Sequence, residues 1–106
     1  MDFRGEKMAT QNVLKEKTIS KVNEPKKFNV VMYNDDFTTM EFVVSVLVDI
    51  FHKSEFEAER IMMAVHRSGK AIVGTYPYDI AVSKVTKATN RAKREGFPFR
   101  VTVEEA

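Results

Sequence analysis

The chain has 106 residues, 43% of them apolar and 30% charged, which is the size and balance of one globular domain. It contains no cysteine, which excludes disulfides and thiolate metal sites, and its net charge of +2 is too small to argue by itself for a nucleic-acid partner. No apolar run approaches the ~20 residues of a membrane-spanning helix, and the N-terminus lacks the continuous apolar core of a secretion signal. A cytoplasmic protein is expected.

Residues 1–25 mix Lys, Glu, Gln, Asn, Thr and Ser with single apolar residues that form no stripe, so they are expected to be a flexible tail. Residues 26–106 are expected to be the folded domain. The run Phe28–Met32 reads as a strand partly apolar on both faces. A helix follows, with Met40, Val43, Val44, Leu47 and Phe51 at helical spacing. Thr38-Thr39-Met40-Glu41 fits a capping box, with the Thr38 hydroxyl serving the first free amides and Glu41 reaching back. Ser54-Glu55-Phe56-Glu57 fits a second box, opening a helix with Ala58, Ile61, Met62 and Val65 on its inner face and Gly69 as its left-handed terminator.

Lys70–Gly74 reads as a short strand. Pro77 suits the first turn of a third helix, whose small residues Ala81, Val85, Ala88 and Ala92 permit close packing on a sheet. Lys84, Lys87, Arg91 and Arg94 make its other face basic, and Gly96 and Pro98 stop it. Phe99–Val103 alternates as a last strand. The expected fold is therefore α/β (α+β): a small three-stranded sheet covered on one side by three helices, in the order β-α-α-β-α-β.

Little in this order suggests an enzyme. There is no G-x-S-x-G elbow, no P-loop and no H-E-x-x-H. His52 reads as a solvated residue at a helix end, and no metal or cofactor is expected. The basic face of the third helix lacks interleaved aromatics, so a solvated face is the simpler reading, with a small nucleic-acid-binding or other interaction domain as the alternative.

Asn34-Asp35-Asp36 remains. It reads either as an Asx-rich turn or as half of a binding site. If extended backbone persists past Tyr33, Asn34 and Asp36 face one side and present acceptors. Neutral His66 can supply a third, beside an apolar wall of Met40, Met62 and Val65. A primary ammonium has three donors and no acceptor, so this set suits a hydrophobic amino acid with a free α-amine.

The blocks N-D-D-x-T-x-M-E-F-V at Asn34–Val43 and M-x-A-V-H-x-x-G-K-A at Met62–Ala71 resemble the ClpS family, as do Gly74 and the Lys84 region; the resemblance covers about residues 27–104. It implies a non-enzymatic bacterial adaptor that binds N-degrons, proteins beginning with Leu, Phe, Tyr or Trp, and delivers them to a ClpA-type (or ClpC-type) ATPase of the Clp protease. It implies that Asn34, Asp36 and His66, with Asp35 nearby, hold the α-amine. By the same resemblance Thr38, Met40, Val43, Met62, Val65 and Phe99 form the side-chain pocket, with Met40 excluding β-branched residues, and Asp79 and Lys84 face the ATPase. A monomer is expected. Three positions depart from the family pattern. Thr39 replaces the usual Pro, which predicts a less rigid loop; Phe99 replaces a common Leu, which predicts a narrower pocket; and Asp79–Ser83 lacks the usual acidic pattern before Lys84.

Overall fold

The computed structural model describes residues 25–106. The expected tail therefore lies outside the described residues, Pro25 apart. The elements are β1 (Lys27–Tyr33), α1 (Met40–Asp49), α2 (Glu55–Ser68), β2 (Lys70–Pro77), α3 (Tyr78–Glu95) and β3 (Arg100–Glu105), an α+β fold in the expected order. The sheet is antiparallel throughout, with β1 between β2 and β3.

The central place of β1 explains why FNVVM carries apolar residues on both faces. Val30 and Met32 are fully buried in the core shared with the helices. Val31 points the other way and is covered by its cross-strand neighbours Ile72 and Thr102. β2 is longer than the expected Lys70–Gly74, continuing to Pro77. Its pairing with β1 slips between Val30 and Val31, a bulge that leaves Val73 unpaired and turned into the core. Just beyond it Tyr76 folds over Gly74, where a Cβ would come within 2.5 Å of the Tyr76 hydroxyl. Glycine leaves room there for the Tyr76 ring, which a larger residue would push aside.

On α3, Ala81, Ala88 and Ala92 are buried and bring the helix close to the sheet, as their spacing predicts. Pro77 is the residue before that helix and not within it. α1 is rotated from expectation. It buries Phe42, Val43, Val46 and Leu47, while Met40 is exposed and Val44 only half-buried. The stripe read from the sequence is thus displaced, because Phe42 stacks on Phe97 and Phe99, at ring-centroid distances of 4.8 and 5.8 Å. Burying Leu47 or Met32 completely contributes about 1.5–3 kcal/mol each relative to exposure.

Two of the five cations on α3, Lys84 and Arg91, do structural work. The Lys84 ammonium donates to the Ile50 carbonyl (3.0 Å), one of the unpaired groups at the end of α1, and lies near the rings of Phe51 and Tyr76. Arg91 donates to Asp49 (2.9 Å) and to the Ser45 hydroxyl (3.3 Å), tying α3 to α1. Lys87 and Arg94 stay exposed, so the basic face offers fewer free cations than the sequence suggests. Lys84→Ala is expected to lower the unfolding free energy by about 1 kcal/mol in urea titration, whereas Lys87→Ala stays within about 0.5 kcal/mol. Equal, negligible effects would show that the Ile50 bond does not stabilise the fold.

Candidate functional site

The segment between β1 and α1 is fixed by its own polar side chains. The Asn34 backbone N–H donates to the Gly69 carbonyl (2.9 Å), which fastens the loop to the end of α2. Gly69 stops that helix with φ +89°, a conformation open to glycine at little cost. Three residues earlier on the same helix stands His66. This bond extends the β1–β2 pairing, whose last pair is Tyr33 with Lys70, and together they bring the Asn-Asp-Asp segment beside the distant histidine.

Asp35 organises the turn. One carboxylate oxygen accepts from the backbone N–H groups of Phe37 (2.8 Å) and Thr38 (2.7 Å), and the other accepts from the Thr38 hydroxyl (2.7 Å). Burial pushes the Asp35 pKa up, but the bonds from Thr38 and Phe37 outweigh it and hold the carboxyl below its ordinary value of 3.8. Because its hydroxyl is given to Asp35, Thr38 does not cap the helix. The N-cap is Thr39, whose hydroxyl accepts from the Phe42 N–H (3.1 Å), so the cap lies one residue later than expected and, with Phe42 in place of a Glu at its third position, the reciprocal box expected from Thr38 and Glu41 does not form. The second cap stands where expected, at Ser54, accepting from the Glu57 N–H (3.1 Å). Thr39 and Asp35 together make four hydrogen bonds within this loop.

Between this loop, α1, α2 and Phe99 lies a cavity of about 490 Å3. Asn34, Asp36 and His66 line one side, and all three are exposed. β1 ends at Tyr33 and the chain bends at Asp36–Thr38, and both Asn34 and Asp36 line the same cavity. The remaining walls are apolar: Val43 from α1, Met62 and Val65 from α2, and Phe99 ahead of β3, all buried, with Met40 at the rim. Thr38 also lines it, with its hydroxyl already engaged. Phe99 is locked edge-on against Phe42.

Asp35 borders the cavity too, but both of its oxygens serve the loop, so its part is to place its neighbours. Asp79 and Lys84 do not line it; Asp79 is exposed in the first turn of α3. Tyr33, Phe37, Thr39 and Glu41 also border the cavity and were not singled out as site residues. Their only sequence signal is that they fall within the same short segment. Among the described residues no cluster of His, Asp and Glu can hold a metal ion. Nor is any helix of these residues long and apolar enough to cross a membrane.

Chemically, Asp36, Asn34 and His66 offer a carboxylate, an amide oxygen and an imidazole nitrogen to a cavity with apolar walls. Three acceptors match the three donors of an ammonium. The apolar depth matches a side chain attached next to it.

Residues 23–102 match the family model for the ATP-dependent Clp protease adaptor protein ClpS. The chain is 50% identical over 84 residues to the Clp protease adapter protein ClpS of Nitratidesulfovibrio vulgaris strain Miyazaki F, covering 79% of this chain and 84% of that protein. It is 42% identical over 97 residues to that of Acetivibrio thermocellus, covering 92% and 98%. Among solved structures it is similar to Agrobacterium tumefaciens ClpS2 bound to L-phenylalaninamide, with a TM-score of 0.76 and 42% identity, over 78% of this chain and all of that one.

Proposed function

The chain belongs to the ClpS family of Clp protease adaptors, and from that premise we propose that its cavity captures the free N-terminus of proteins beginning with Leu, Phe, Tyr or Trp for delivery to a ClpA-type or ClpC-type ATPase. As an adaptor it is not itself an enzyme. One observation carries the reading: Asn34, Asp36 and His66 line the same cavity as the apolar Val43, Met62, Val65 and Phe99. An α-amine entering there leaves water, and each of its donors must find a partner. The three acceptors supply them. L-Phenylalaninamide, the ligand in the Agrobacterium structure, pairs a free α-amine with a benzyl side chain, which is the chemistry these walls suit.

On this reading Met40 sets selectivity by shape. It lines the cavity and is 43% exposed, where the first residue's side chain would enter. Met40→Ala is expected to admit peptides beginning with Ile or Val, with a gain of about 1–3 kcal/mol for the branched residue. Competition against a labelled Phe-initiated peptide measures it; a variant as exclusive as the wild type would assign selectivity to another wall.

The ATPase-facing surface is proposed at Asp79 and Lys84. Asp79 is exposed between the exposed Tyr78 and Ile80, whereas Lys84 is held by Ile50. The protein is proposed to act as a monomer in the bacterial cytoplasm. Delivery is tested by degradation of a Phe-initiated reporter by a ClpA-type ATPase with its peptidase: this protein should accelerate it, and should not accelerate a reporter beginning with Arg. No acceleration of either reporter would overturn the delivery step.

A further inference from the structure

We propose that Phe37 is the contact for the second residue of the captured chain and gives the socket a preference for an apolar or aromatic side chain at that position. This rests on reading the cavity as a socket for a free N-terminus.

Phe37 is 75% exposed although it stands in a loop whose backbone is fixed. Its N–H is bonded to Asp35, and the next N–H and hydroxyl, those of Thr38, are bonded to Asp35 as well. The ring joins none of the aromatic pairs found among the described residues. A lone exposed apolar side chain is ordinary. Two on the rim of one cavity are less so: Phe37 and Met40 both border the cavity, whereas Phe56, Ile72, Tyr78 and Ile80 do not.

The geometry of an extended peptide supplies the occupant. Successive side chains point to opposite sides. With the first in the cavity and its amine at Asp36, the second points outward, past the rim. Phe37 directly follows Asp36 in the chain and lies beside that exit. Its backbone is already ordered, so a contact costs only the freedom of two side-chain torsions.

The test compares L-phenylalaninamide with two otherwise identical peptides beginning Phe-Gly and Phe-Leu, on the full-length wild type and on Phe37→Ser, by competition against a labelled Phe-initiated peptide. The wild type is expected to bind the Leu-second peptide about three- to tenfold more tightly than the Gly-second one. In Phe37→Ser that ratio is expected to fall towards one. If the ratio survives the substitution, or the wild type shows none, the assignment is overturned while binding of L-phenylalaninamide keeps the socket standing. If Phe37→Ser weakens L-phenylalaninamide as much as the Leu-second peptide, the ring serves the first side chain and the assignment is likewise overturned. A Phe-Lys peptide binding more tightly than Phe-Leu would also overturn it, placing the outgoing chain along the groove between α1 and α2 that Glu41, Glu55 and Glu59 border. If the wild type binds none of these ligands, the socket itself falls.

Discussion

Asp36→Ala is expected to weaken binding of a Phe-initiated peptide by about 2–5 kcal/mol, roughly thirtyfold or more. The carboxylate is exposed in the free protein and costs nothing to keep in water. Once an N-terminus seats in the cavity, the ammonium is desolvated, and removing the carboxylate that pairs with it on this reading leaves a charge without its compensation. Asp35 cannot take over, because both of its oxygens already accept bonds from Phe37 and Thr38. Asp36→Asn separates charge from shape: it keeps an acceptor and is expected to fall between wild type and alanine. Titration calorimetry with L-phenylalaninamide measures both variants. Near-wild-type affinity in Asp36→Ala would remove Asp36 from the amine site.

Asp35→Asn is expected to lower both stability and affinity. An amide can replace only part of the carboxylate's acceptance, so at least one donor among Phe37 N–H, Thr38 N–H and Thr38 hydroxyl loses its partner, at about 1–2 kcal/mol of stability. Affinity for L-phenylalaninamide follows, because the same turn sets the positions of Asn34 and Asp36. The sign of the pH dependence distinguishes this loss from a general weakening. The Asp35 pKa is held below 3.8 in the folded protein, so its contribution is present above the unfolded value and is lost as pH falls through the lower, folded one. The stability difference between wild type and Asp35→Asn should therefore be constant above about pH 5 and shrink below about pH 4. A difference that persists undiminished into that acid range would show that the ionised carboxylate is not what holds the loop.

Local signals were the most legible. Ser54 before Glu57, and Gly69 after Val65, each name a helix end through chemistry confined to a few residues, and both ends are where the sequence puts them. Thr38 and Thr39 were not separable this way. Either hydroxyl can cap the helix, and the choice is made by Asp35, which takes one of them. The rotation of α1 was illegible for a different reason. In MEFVVSVLVD the polar residues Glu41, Ser45 and Asp49 mark only one narrow side and leave a broad apolar arc; the packing of Phe42 on Phe97 and Phe99 centres the buried face within it, and those partners lie far along the chain.

The site shows the same division. Residue types in Asn34–Asp36 allowed an amine socket but equally allowed a turn, and the structure contains both: Asp35 makes the turn and its neighbours face the cavity. What no spacing could show is the bond from the Asn34 N–H to the Gly69 carbonyl, which brings His66 to the same wall. The resemblance to ClpS proteins named these residues as partners, and the β1–β2 pairing that ends in this bond is the physical reason they lie together. Phe37 carried no signal at all, since an exposed aromatic in a turn looks like any other until the cavity beside it is known.

The central claim is that the cavity reads a protein's first residue and its free amine together. Fluorescence anisotropy with a labelled peptide beginning with Phe tests it most directly, against the same peptide N-acetylated and the same peptide beginning with Arg. The expected result is saturable binding of the Phe peptide, almost none after acetylation, and binding weakened at least tenfold, about 1.4 kcal/mol, with Arg in first place. Equal affinity for all three peptides would contradict it.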